Sequence, residues 1–143
     1  MANCHLVILK KPYLDAILSG RKKIESRFTK TKLPAFGRVA AGDTLFLKVS
    51  SGPVCAVATV AAVKYFDNPT AQQFLQIRQQ YNEDILGSDE YWCSKIGCRF
   101  GLLVWLKDVR PIEHIWISKK DWRAWVVLTE KEHFGLLNVR ADQ

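Results

Sequence analysis

The sequence predicts an α+β domain, a small β-barrel flanked by short helices, and three observations predict it. Strand-like segments recur at 23–28, 44–49, 54–65, 100–109 and 111–118, several alternating apolar with polar residues, the period of a half-buried strand. Two stretches, after Pro12 and after Thr70, pair a helix-start signal with apolar residues at helical spacing. The 143 residues are 48% hydrophobic and hold no long low-complexity tract or linker, so one domain spanning 1–143 is expected to bury the core. A barrel, closed or partly open, would also hide the strand edges.

The elements follow in order. Pro12 can open a helix at its first position, where a missing N–H costs nothing, and Leu14, Ile17 and Leu18 fall on one side of it. Gly20 supplies the left-handed backbone that commonly ends a helix. Beyond it, the run Lys23-Ile24-Glu25-Ser26-Arg27-Phe28 alternates charged with apolar or small residues, so Glu25 and Arg27 share one face of a strand. The pattern Gly-x-Lys-x-x-Glu-x-Arg, at Gly20, Lys22, Glu25 and Arg27, thus sets a cation, a carboxylate and a guanidinium just after a helix stop. That spacing predicts a polar cleft for a charged ligand. Two readings stay open: a surface ion pair with Lys23, worth ~0–1 kcal/mol, or a planar donor fork on Arg27 that Glu25 orients.

Residues Thr29 to Ala41 form a surface loop rich in Lys, Pro and Gly. Strands over Thr44–Val49 and Val54–Tyr65 are joined by Ser50-Ser51-Gly52-Pro53, a hairpin turn. In the first of them Lys48 points into the cleft or to water. A second helix starts at Pro69-Thr70, with Gln73 completing a capping box and Phe74, Ile77, Tyr81 and Ile85 at helical spacing. Its end is acidic at Glu83, Asp84, Asp89 and Glu90, read as a solvated face. Phe100 to Val109 and Pro111 to Ser118 read as two strands, and 118–123 as a capped turn or tight loop before Ala124-Trp125-Val126-Val127-Leu128.

Charge is unevenly placed. The formal net charge is +7, and residues 1–48 hold ten Lys or Arg against Asp15, Glu25 and Asp43, whereas the remaining 95 residues hold eleven of each sign. All of the excess therefore lies in the segment that carries the Lys22 pattern, and a basic field beside a cleft favours a polyanion. Aromatic residues add to this: Tyr91-Trp92 and Trp122 stand close in sequence to Lys95, Lys119, Lys120 and Arg123, a composition suited to stacking single-stranded bases. Trp105, Trp116 and Trp125 read as core.

Other chemistry is poorly supported. Cys4, Cys55, Cys93 and Cys98 lack zinc spacing, so no metal site is expected and the thiols read as reduced and cytoplasmic. The apolar run Leu6-Val7-Ile8-Leu9 is too short for a leader or a membrane span. His5, His114 and His133 are scattered and read as structural.

The run Pro12-Tyr13-Leu14-Asp15-Ala16-Ile17-Leu18-Ser19-Gly20, followed by Arg21-Lys22-Lys23-Ile24-Glu25-Ser26-Arg27, resembles the ASCH domain, a member of the PUA-like superfamily. Gly42-Asp43-Thr44-Leu45-Phe46-Leu47-Lys48 and Gly52-Pro53-Val54 are similar to that family's barrel strands. The resemblance implies a small β-barrel with flanking helices, a cleft beside the signature, and RNA binding. Some bacterial members are enzymes: one group deacylates N4-acetylcytidine through the motif lysine and a threonine where this chain has Glu25, and another is described as a ribonuclease. Lys22 and Arg27 match; a carboxylate cannot take a hydroxyl nucleophile's part.

The leading expectation is therefore a binding module that holds single-stranded RNA or a nucleotide, with Lys22, Arg27 and Lys48 on phosphate, Glu25 fixing Arg27 or accepting from a base edge, Trp92 or Trp122 stacking, and Lys95 and Arg123 among the RNA-binding residues. The competing one is a hydrolase acting on RNA or a modified nucleoside, with Lys22 and Glu25 catalytic. No cofactor is expected, save a divalent ion under the nuclease reading.

Overall fold

The computed structural model describes residues 2–119 and 121–138. The chain forms β1 (Cys4–Leu9), α1 (Lys11–Leu18), β2 (Ile24–Thr29), β3 (Thr44–Val49), β4 (Val54–Asp67), α2 (Ala71–Ile85), α3 (Asp89–Ser94), β5 (Phe100–Ile115), β6 (Trp125–Val127) and a final 3-10 turn, Leu136–Asn138. The strands make one mixed sheet in the order β2-β5-β4-β3-β1-β6, curled into a half-barrel. Among the described residues only the β1–β3 pair is parallel.

Local chemistry explains most boundaries. Pro12 occupies the first turn of α1, and Gly20 adopts φ +82° just beyond its end, where an L side chain would be strained. Thr70 and Gln73 form the expected capping box on α2, each satisfying one orphan amide of the first turn. α3 follows after a short break, started by the Ser88 side chain, which accepts from the Tyr91 amide. Sequence reasoning did not anticipate α3, because six residues carry too little periodicity to read.

Pro111 proves not to divide two strands: β5 runs unbroken through it to Ile115. The reason is edge placement. β2 pairs with β5 only over Phe100–Trp105, so beyond that point β5 has β4 as its one partner and tolerates a residue with no N–H. Register shifts near Val54, Val57 and Val60 bend this long antiparallel pair, as bulges do, and produce the curl.

Side-chain alternation divides the core. Leu45 and Leu47 of β3 face an interior cluster with Val7, Leu9, Leu14 and Ile17, whereas Phe46 faces a second cluster with Leu6, Val57, Val126 and Leu136. A third cluster, around Ile24, Phe28, Phe74, Ile77, Trp92 and Leu103, fastens α2 and α3 to β2 and β5. Both faces of the sheet are thereby covered, and its two edge strands, β2 and β6, are left near one another at the seam of the curl.

Candidate functional site: a cleft at the seam of the half-barrel

A cleft of about 760 Å³ opens at this seam, within the size range of small-ligand sites. Its floor carries Glu25, Ser26 and Arg27 of β2; Tyr13, Tyr91 and Trp125 form walls, and Lys10, Glu90 and Lys95 stand around it. Arg27 spans the seam. Its Nη2 donates to the Ile8 carbonyl of β1 at 3.0 Å and lies 3.3 Å from Glu25 Oε2, while its guanidinium carbon is 5.5 Å from the centre of the Trp125 ring beside β1. The guanidinium thus ties β2 to the opposite edge of the curled sheet.

The pairing of Glu25 with Arg27 on one face is as the alternation predicts, but the face is not solvated: Glu25 is only 6% exposed. Its Oε1 accepts the Ser26 amide at 2.9 Å and lies 3.7 Å from Lys22 Nζ, too long for a hydrogen bond. The surface-pair reading and its small energy therefore do not apply.

Lys22 sits beneath this floor, 3% exposed, and not on the cleft surface. Its Nζ donates to the carbonyls of Ile24 at 2.9 Å and Ile85 at 2.6 Å, the latter at the C-terminal end of α2, where a cation is favoured by the helix dipole. Its backbone amide donates to Ala16 of α1. Burial pushes the ammonium pKa below its ordinary value, Glu25 pulls it back up, and Arg27 lowers it further. Lys22 is a cationic rivet joining α1, β2 and α2; the cations that line the cleft are Lys10, Arg27 and Lys95.

Other expected residues scatter. Trp92 is 1% exposed, packed on Phe28 and Phe74 with its indole N–H donated to Asn82 at 2.9 Å, so it has no face for a base. Lys48 lies outside the cleft and donates to the Val49 carbonyl; burial, and then Lys119, lower its pKa. Trp122 is fully exposed and does not line the cleft. Arg123 is engaged by Asp121 and Glu132, and Lys120 lies outside the described residues. Lys95 does reach the cleft, its ammonium 5.6 Å from the centre of the Tyr91 ring.

Sequence reasoning missed Lys10, Tyr13, Ser26 and the wall role of Tyr91 and Trp125. Ser26 Oγ and the Tyr91 hydroxyl lie 2.6 Å apart. Burial holds the Tyr91 phenol well above its usual pKa, with Ser26 opposing, so it stays protonated. Of the four acidic residues in the last turn of α2 and the first turn of α3, only Glu90 borders the cleft; Asp89 pairs with Arg78. Among the described residues no three His, Cys, Asp or Glu side chains converge, and no helix is long and apolar enough to cross a membrane.

Behind Trp125 stands a buried chain. The Trp125 indole N–H donates to His5 Nδ1 at 3.1 Å, and His5 Nε2 lies 2.8 Å from Asp43 Oδ2. An indole only donates, so Nδ1 accepts and Nε2 carries the proton to Asp43. His5 is fully buried, and burial lowers its pKa below 6.5 despite Asp43. The unfolded chain therefore protonates first on acidification, and stability falls as pH drops below 6.5, by at most ~1.4 kcal/mol per pH unit. Urea midpoints between pH 7 and 5 should decline more steeply for the wild type than for His5→Gln; parallel declines would show that folding does not shift the His5 pKa.

A family model for the ASCH domain matches residues 7–139. The chain belongs to the ASCH domain family. Solved structures place this ASCH domain beside the ASCH protein of Zymomonas mobilis, with TM-score 0.70, 18% identity and coverage of 95% of this chain and 94% of that one. A single-residue variant of the same protein gives TM-score 0.71 at 18% identity, covering 94% of each chain. At this identity the likeness is one of fold: the α+β, PUA-like half-barrel with short helices. No curated protein matches the sequence.

Proposed function

We propose that this ASCH domain is an RNA-binding module whose seam cleft holds one nucleotide of a single strand. The observation that carries the reading is the cleft's construction: a Glu25–Arg27 floor between aromatic walls Tyr13, Tyr91 and Trp125, with Lys10 and Lys95 beside it. Aromatic faces stack any base, and cations at the rim meet the flanking phosphates. The family's frequent link to RNA binding and the concentration of positive charge in residues 1–48 support the same reading.

Turnover has weaker support. Lys22 spends two of its N–H groups on carbonyls, Tyr91 stays protonated, and among the described residues no histidine lines the cleft. The anisotropy of an end-labelled single-stranded RNA, followed with magnesium from seconds to hours, tests both readings. A rise that holds, with affinity falling as salt rises at a slope of about −1.4 for the two phosphate contacts of Lys10 and Lys95, is expected. Lys95→Ala should flatten that slope by about 0.7. Flat salt dependence would overturn the binding reading, and a decay below the free-RNA value would replace it with cleavage.

A further inference from the structure

From the donors and acceptors on the cleft floor we infer that Glu25 reads the base, selecting an edge with adjacent N–H groups, guanine above the other three; the inference rests on the cleft being a nucleotide site. A carboxylate has roughly four acceptor positions. Among the described residues two are filled, one on each oxygen: Oε1 by the Ser26 amide at 2.9 Å and Oε2 by Arg27 Nη2 at 3.3 Å. Lys22 at 3.7 Å is a neighbouring charge and not a donor partner. Each oxygen keeps one free position, and Glu25 lines the cleft. Two parallel acceptors on one planar group match two parallel N–H donors, the geometry that makes bidentate pairs strong and specific.

Among the bases, guanine alone presents such a pair, from its ring N1–H and its 2-amino group. Its O6 beside them accepts, and Arg27, whose Nη1 and Nε have no hydrogen-bond partner among the described residues, supplies donors next to Glu25. Cytosine and adenine offer Glu25 one amino group. Uracil offers one N–H flanked by two carbonyl oxygens, and those would face the carboxylate. A phosphate on the floor would meet the same negative charge, so the phosphates of a bound strand go to Lys10 and Lys95.

The test uses short oligouridylates that carry at their centre one guanosine, inosine, adenosine or cytidine, titrated against the whole protein by anisotropy. The guanosine strand should bind about tenfold or more tightly than plain oligouridylate. Inosine, which keeps N1–H and loses the amino group, should forfeit most of that gain. The inosine comparison changes only the ligand, so it holds even if a Glu25 variant folds poorly. Where Glu25→Gln does fold, it should erase the preference and retain the salt slope. Equal, salt-dependent binding of all strands would overturn base selection and leave the RNA-binding reading intact. A preference for adenosine or cytidine over guanosine would also overturn it. No binding of any strand would overturn both.

Discussion

Lys22→Ala is expected to destabilise the domain by about 3–5 kcal/mol, the cost of removing one member of a buried charge set. For a chain of this size that is a fall in Tm of about 6–20 °C. The loss has three parts. The Ile24 and Ile85 carbonyls, bound at 2.9 and 2.6 Å, lose their donor in a site that water does not reach, and unsatisfied buried acceptors cost about 1–3 kcal/mol each. Glu25, itself buried, is left with Arg27 as its one cationic neighbour. A cavity opens where the side chain lay, its ammonium 5.4 Å from the centre of the Tyr13 ring. Lys22→Met restores the stem and not the charge, so its melt should fall between the two. Thermal unfolding followed by circular dichroism decides the matter. A near-neutral Lys22→Ala that folds normally and loses RNA affinity would instead make Lys22 a ligand contact, contrary to its place beneath the floor.

α1 and its glycine stop, the β3–β4 hairpin and the α2 capping box all follow from signals a few residues long, and each appears where those signals lie. Glu25 and Arg27 on one face follow from a period of two. What that face looks onto does not. The curl of the sheet brings β2 toward β1 and β6, a non-local consequence of the register shifts along β4 and β5, and it converts an ordinary-looking surface pair into a buried floor. Lys22 and Trp92 fail as ligand contacts for the same reason: the packing of α2 and α3 on β2 covers them, and nothing in their neighbouring residues announces it. Tyr13, by contrast, lies within the segment 12–27 that carries the family resemblance and Lys10 just before it, and both were readable as cleft residues once α1 was placed beside β2.

Arg27→Ala should weaken binding of single-stranded RNA by about tenfold to a hundredfold, the worth of one or two hydrogen bonds to a charged group at ~1.5–3 kcal/mol. Its effect on folding should be smaller than that of Lys22→Ala. The side chain is 17% exposed, so water can reach part of the space it leaves, although the Ile8 carbonyl loses its donor and the seam its tie. Arg27→Lys separates charge from geometry. A lysine keeps the positive charge over Trp125 but offers a point charge in place of a planar fork, so it should retain the salt slope and recover little of the affinity. If Arg27→Ala binds as the wild type does while remaining folded, the guanidinium is only a clasp between β2 and β1, and the ligand must be held by Lys10, Lys95 and the aromatic walls. If Arg27→Lys restores full affinity, charge alone suffices, and the fork has no part in recognition.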